Sequence, residues 1–255
     1  MTFRNGFSIV ELMVALLLGS LIAIAATQLF LVNRQTSNLQ QGIASVQDQG
    51  RFALDYISRD LMQAGHDPAG AVQPFVFTGD TDEISKDGTK YDPIAFQVRE
   101  GFDCIGSNTP YSGVKIYYVD DHKLRCSYTT MMSGRQYAES IIDGVEALQV
   151  QYGIDYDDFG QTGYGQADVY TNATAAKDMI TATSKKRIVS VRFALLLSSP
   201  GIVSTDTEFA PASSIQVLDR TYNSGTATNT MNLLDGRLYR VFSSTVTIRN
   251  QINQI

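Results

Sequence analysis

The sequence predicts an α+β chain in which one long N-terminal helix packs on a β-rich, mostly antiparallel head. Three observations predict it. Residues 7–30 form an apolar run broken by a single charge. An apolar stripe at helical spacing then continues to residue 61. Beyond it, short apolar segments alternate with stretches rich in Gly, Ser, Thr, Asn and Asp, the pattern of strands and turns.

The length of 255 residues suits one globular domain plus a long helix. With 44% hydrophobic and 18% charged residues, the chain can bury a core and is too apolar for disorder. Its 20 glycines, 13 tyrosines and 12 phenylalanines suit strands joined by turns. A net charge of −6 argues against a nucleic-acid binder, which needs a basic stripe for the phosphates. The densest basic cluster, Lys185-Lys186-Arg187, opens an apolar strand and reads as a solvated strand end.

The apolar run FSIVELMVALLLGSLIAIAATQLF has 24 residues. As a helix it spans ~36 Å, enough to cross a bilayer with some tilt. Arg4 on the short N-terminal side places that end in the cytoplasm and the rest of the chain in the periplasm. Ala23, Ala25 and Ala26 imitate a signal-peptide cleavage site, but the run is long for such a peptide and its basic region is minimal.

Glu11 is the charge within this run, and a carboxylate inside a membrane helix costs at least a few kcal/mol, which makes it a functional candidate. Gly6 directly precedes Phe7, and Glu11 is the fifth residue counted from Phe7. The segment Gly6-Phe7-Ser8-Ile9-Val10-Glu11-Leu12 resembles the processing site of type IV prepilins. The resemblance implies that a membrane aspartyl peptidase cuts after Gly6 and N-methylates Phe7. It also implies that Glu11 pairs with the N-terminal amine of a neighbouring subunit. Two opposite buried charges offset each other's desolvation when placed together, so the pair would also specify register.

After Phe30 the chain turns polar without losing helical period. Leu39, Ile43, Val46, Gly50, Leu54, Ile57 and Leu61 form one stripe, expected to dock on the head. The competing reading of this segment is a stalk or coiled coil, but its spacing lies closer to the straight-helix period than to the heptad. Gly65 and Pro68 mark the helix stop. Gly42 and Gly50 are expected to bend or loosen the helix. The expected organisation is a leader over 1–6, a transmembrane half over 7–30, an amphipathic half over 31–65 and an exported head over 66–255.

In the head, Ile94–Val98, Val145–Ile154, Ile188–Ser198 and Leu238–Ile248 are expected strands. Val114–Val119 and Lys123–Tyr128 flank Asp120-Asp121-His122 and read as a hairpin. The connections 155–178 and 199–236 read as long polar loops. Cys104 and Cys126 lie on the exported side, where a pair most simply forms a disulfide; two unpaired buried thiols are the alternative.

The resemblance extends further along the chain. Gln49-Gly50-Arg51-Phe52-Ala53-Leu54, Arg59-Asp60-Leu61 and Ala64-Gly65 resemble the helix end of PilW-type minor pilins. Asp235-Gly236-Arg237-Leu238-Tyr239-Arg240-Val241-Phe242 and Thr245–Asn250 resemble that group's C-terminal strand. The type IV pilin-like resemblance implies a subunit of the minor-pilin complex that primes pilus assembly at the filament tip. Its implied partners are other minor and major pilins, the prepilin peptidase, the inner-membrane assembly platform and a large tip adhesin. It implies passage from the inner membrane, with the head periplasmic, to the pilus on the cell surface. A J-type minor pseudopilin of a type II secretion system and a membrane-anchored adhesin are the alternatives.

No nucleophile–base arrangement stands out, and neither catalysis nor a cofactor is expected. His66 and His122 have no metal-ligand or triad spacing. Asp155-Tyr156-Asp157-Asp158-Phe159-Gly160 hints at a calcium loop, but Phe159 stands where an EF-hand requires an oxygen ligand, so an acidic surface loop and no metal site is the expectation, with a looser calcium site as the alternative. Gly160, Gly163 and Gly165 lack the Lys-Ser/Thr of a phosphate loop. Asn172-Ala173-Thr174 matches a glycosylation sequon, which carries little weight in a chain of this type.

Overall fold

A computed structural model of the protein describes residues 8–65, 74–77, 91–98, 101–109, 112–130, 136–182, 186–203, 214–224, 230–231, 233 and 235–249. Gly6, Phe7, His66, Pro68 and Lys185 lie outside the described residues.

Helix α1 runs unbroken from Ile9 to Leu61, 53 residues and about 80 Å. Every residue from 8 to 38 is exposed. From there on one side is covered, and the buried line is Gly42, Val46, Gly50, Ala53, Ile57 and Leu61. This line is displaced from the expected stripe, because Leu39, Ile43 and Leu54 are only half-buried. The cause is steric. The head comes closest along the smallest residues, and a β-carbon on Gly42 would lie 2.7 Å from Val203 Cγ1, one on Gly50 2.6 Å from the Phe242 ring. The two glycines do not interrupt α1, and they admit the head. After Leu61 the chain leaves the helix, Gly65 turns with φ of 70°, and its N–H donates to Gln97 O at 3.3 Å.

The head contains two four-stranded antiparallel sheets. The first comprises β1 (Ile94–Val98), β4 (Gly113–Asp120), β5 (Lys123–Thr130) and β6 (Gln136–Asp143), in that order. Between β1 and β4 lies a two-residue ladder of β2 (Gly101–Phe102) and β3 (Asn108–Thr109). The β4–β5 hairpin turns on Asp121 and His122, with φ of 49° and 56°. Both central residues at positive φ give the turn whose twist matches that of the strands. Strand β6 was not foreseen: its sequence, QYAESIID, is too polar to read as a strand.

The second sheet is built from β7 (Val145–Asp155), β8 (Val169–Thr171), β9 (Arg187–Ser198) and β13 (Tyr239–Thr247), in the order β13-β9-β7-β8. Helix α2 (Ala173–Ala182) intervenes between β8 and β9 and begins inside the stretch 155–178 expected to be loop. The stretch 199–236 likewise contains β10 (Ser214–Val217), β11 (Arg220–Ser224) and β12 (Thr230–Met231), which form a three-stranded sheet.

Burial on both faces explains why β9 is apolar along most of its length without alternating. One face of the second sheet, with Leu148, Val150, Val191, Phe193 and Leu195, packs in the main core with Ile57 and Leu61 of α1 and Phe96 and Tyr117 of the first sheet. The other face, with Ala147, Ala194 and Leu196, is covered by Val217, Tyr222 and Leu233. A strand buried on both faces has no polar side to show.

Candidate functional site

The exposed part of α1 is the dominant surface feature. Ile9, Leu16, Leu17, Leu21, Ile22, Leu29 and Phe30 are each more than 60% exposed. Burying a side chain of this kind is worth ~1.5–3 kcal/mol, so a helix apolar all round demands a lipid or protein environment. It is long and apolar enough to cross a membrane. Glu11 sits in its first turn.

The amphipathic half is fixed to the head by a polar cluster that sequence reasoning missed. Lys115 on β4, only 2% exposed, donates to Asp60 Oδ2 on α1 at 2.7 Å. The Tyr117 hydroxyl, two residues along the same face, donates to the same oxygen. Burial first, and the Asp60 charge second, push the Tyr117 phenol well above its ordinary pKa. A lysine at an inward position of an otherwise apolar strand was the available signal, because such a residue requires an acidic partner. Next to this cluster the Tyr56 hydroxyl donates to Cys104 O at 3.1 Å. Cys104 and Cys126 form a disulfide with Cα atoms 5.7 Å apart, joining the turn between β2 and β3 to β5.

A second cluster ties together the turns at the end of the head nearest the apolar helix. Buried Glu146 accepts from Ser198 Oγ at 2.9 Å and from Arg237 Nη1 at 3.0 Å, and it lies 2.9 Å from His122 Nδ1. Arg237 Nε also donates to Asp235, which accepts from the Tyr239 hydroxyl at 2.9 Å. Burial by itself raises the Asp235 carboxyl; the Arg237 N–H groups and the Tyr239 hydroxyl outweigh it and hold the pKa below the usual carboxylate range. Asp235 and Arg237 thus anchor the entry to β13.

Asp155, Asp157 and Asp168 bring carboxylate oxygens within 4.8 Å of one another. Asp155 already has its ligands: the backbone N–H groups of Asp157 and Gly165, each at 2.8 Å, and Arg187 Nε at 2.9 Å. These bonds overcome the effect of burial and lower the Asp155 pKa, whereas burial and the charges of Asp168 and Asp155 raise Asp157. Of the three carboxylates Arg187 meets Asp155, and its Nη2 donates to the Asp157 carbonyl at 2.6 Å, so these contacts also fold the loop. Asn172 is equally structural: its Oδ1 accepts the Ala175 N–H at 2.9 Å and caps α2.

A family model described as Type IV Pilus-assembly protein W matches residues 113–250, from β4 past the end of β13 and over half of the chain. The chain belongs to this family. Its first 27 residues match the prokaryotic N-terminal methylation motif, a span that contains Gly6, Phe7 and Glu11. No curated protein matches. Among solved structures, the Type IV-like pilin TTHA1219 from Thermus thermophilus is similar at a TM-score of 0.48 and 18% identity, over 82% of this chain and 98% of that one. For this W-family protein the motif and the apolar helix mark a membrane-anchored pilin, and the family is a structural one of pilus assembly.

Proposed function

We propose that this chain is a minor pilin that helps start type IV pilus assembly within a priming complex at the filament tip. The observation that carries the reading is the fully exposed apolar helix with a single carboxylate, in a chain of the pilus-assembly W family.

The prepilin peptidase cuts after Gly6 and methylates Phe7, dividing leader 1–6 from the mature chain. Residues 7–30 hold the subunit in the inner membrane with its N-terminus cytoplasmic, 31–65 connect it, and the head from 66 onward is periplasmic. Within one straight helix the new amine on Phe7 would stand about one turn from the Glu11 carboxylate, ~6 Å along the axis. A neighbour shifted along the filament presents the complementary charge to each, which offsets both desolvation costs and sets the axial register. Other minor and major pilins, the assembly platform and a tip adhesin are the partners of this reading.

Surface piliation of a clean deletion strain, scored by electron microscopy with type II secretion assayed in parallel, tests it. Loss of pili with intact secretion is expected. Normal pili with failed secretion would assign the chain to the pseudopilins instead.

A further inference from the structure

We propose that the open edge of β13 is a docking site for an extended segment of a different protein, one that adds a strand to the second sheet and carries Asp or Glu at its ends. The backbone defines the edge. Ser199 N donates to Leu238 O and Ile248 N to Val189 O, each at 2.8 Å. Antiparallel pairs alternate, so the even-numbered residues from Leu238 to Ile248 turn their N–H and C=O groups to β9. Val241, Ser243, Thr245 and Thr247 turn theirs outward, and no other strand pairs with them among the described residues.

The other edges of the two four-stranded sheets are protected, and this one is not. β1 is covered by the chain at Pro74–Val76, since Val76 N donates to Ala95 O and Gln97 N to Pro74 O, each at 3.0 Å. β8 has only three residues. β6 is kinked by a bulge opposite Leu124 and Arg125 and exposes the charges of Glu139 and Asp143. Such devices keep bare edges from pairing. β13 has nine residues, and its ladder with β9 shows no register shift. From Val241 to Ile248 the chain has no charge, proline or glycine, and Ser243, Thr245 and Thr247 are exposed. A bare edge of this composition is an aggregation hazard unless a partner strand covers it.

Charge and direction select the occupant. Arg240 and Arg249 stand at the two ends of this uncharged stretch, both exposed and without an ion pair among the described residues. Acidic residues at the ends of an added strand complement them. Main-chain hydrogen bonds supply the affinity, as in other strand additions. A second copy offering the same edge does not fit. Phe242 meets Gly50, and Ser244 Oγ lies 3.4 Å from Ser58 Oγ, so β13 runs the same way as α1. Two β13 strands paired antiparallel would point their apolar helices in opposite directions, so that one membrane could not take both. A parallel match would bring the arginines of like ends together, which is unfavourable.

The test places the photo-crosslinker p-benzoylphenylalanine at position 243 of the full chain in its own membranes, with cross-linked peptides identified by mass spectrometry. The expected product joins β13 to a peptide of another protein that contains Asp or Glu. Thr245→Pro removes an N–H that points away from β9, a change an edge strand tolerates. It should lower the yield about tenfold, the loss of one main-chain bond. Arg240→Glu combined with Arg249→Glu should lower it about fivefold or more. The charge variant alters no backbone group, so its result stands even where the proline lowers the unfolding temperature. No adduct, an adduct between two copies of this chain, an adduct on a peptide without Asp or Glu, or a yield indifferent to the charge reversal would each overturn the proposal. So would a yield indifferent to the proline in a folded variant. None of these outcomes depends on whether the deletion strain loses its pili.

Discussion

The Phe242 ring on β13 lies directly over Gly50 of α1, only 2.6 Å from where a β-carbon on that glycine would stand. The same contact explains why glycine is tolerated in mid-helix, where it costs ~1 kcal/mol relative to alanine. Gly50→Ala restores the helix propensity but drives a methyl group into the ring. Overpacking of this kind costs ~1–3 kcal/mol, so the steric term prevails and the variant should be less stable. Thermal unfolding of the full chain in detergent checks this, with Phe242→Leu added to the alanine variant recovering part of the loss. An alanine variant more stable than wild type would mean that the ring moves aside freely.

Asp60 should matter more than any exposed charge on α1. Removing it leaves the Lys115 ammonium, with a side chain only 3% exposed, without its anion. Breaking a buried pair from one side costs ~3–5 kcal/mol, whereas replacing both members by apolar groups of similar size is far milder. Asp60→Ala should therefore lower the denaturation midpoint strongly, and Asp60→Leu combined with Lys115→Met should recover most of it. By contrast, the Asp55–Arg59 pair, with side chains 64% and 72% exposed, should contribute little.

Acid should loosen the head at both ends. Asp155 and Asp235 have folded-state pKa values below the usual range. Their contribution is complete above the unfolded value of about 4 and is lost as the pH falls through the lower folded value. Asp157, shifted upward, works in the opposite sense, but it is a single group on an exposed loop. The unfolding temperature should start to fall as the pH drops below the unfolded carboxylate value of about 4 and go on falling through the lower folded values. Asp235→Asn should be less stable at pH 7 and fall less steeply with acid. A slope unchanged in that variant would show that Asp235 is not a source of the dependence.

Where one physical effect dominates a segment, the sequence was legible. The apolar run, the helical period through Leu61 and the Asp121-His122 hairpin each follow from composition at fixed spacing. The strands β1, β7 and β9 stood out through their Val, Ile and Leu residues, and β13 through its Val, Phe, Tyr and Thr residues. What escaped depends on distant partners. β6 is polar because it lies at the end of its sheet with one neighbour, β5, among the described residues. Gly42 reads as a weak point until Val203, far along the chain, is seen to fill its place. The Asp60–Lys115–Tyr117 cluster joins residues 55 and 57 positions apart, a pairing no local pattern encodes.

Glu11 tests the filament chemistry apart from membrane insertion. Glu11→Ala removes a charge from an apolar helix, so insertion should proceed as well as before or better. If the carboxylate pairs with the Phe7 amine of a neighbour, the variant subunit leaves that amine without its partner in a water-poor interior. Such a loss costs several kcal/mol and reaches each contact the subunit makes in register. Membrane fractions should then contain normal amounts of Glu11→Ala protein, while sheared filaments contain little or none. Glu11→Gln, close in shape but neutral, should fail in the same way, since the pairing needs charge rather than volume. Normal incorporation of either variant would leave the carboxylate without an assembly role and return the register to the apolar faces of the helix.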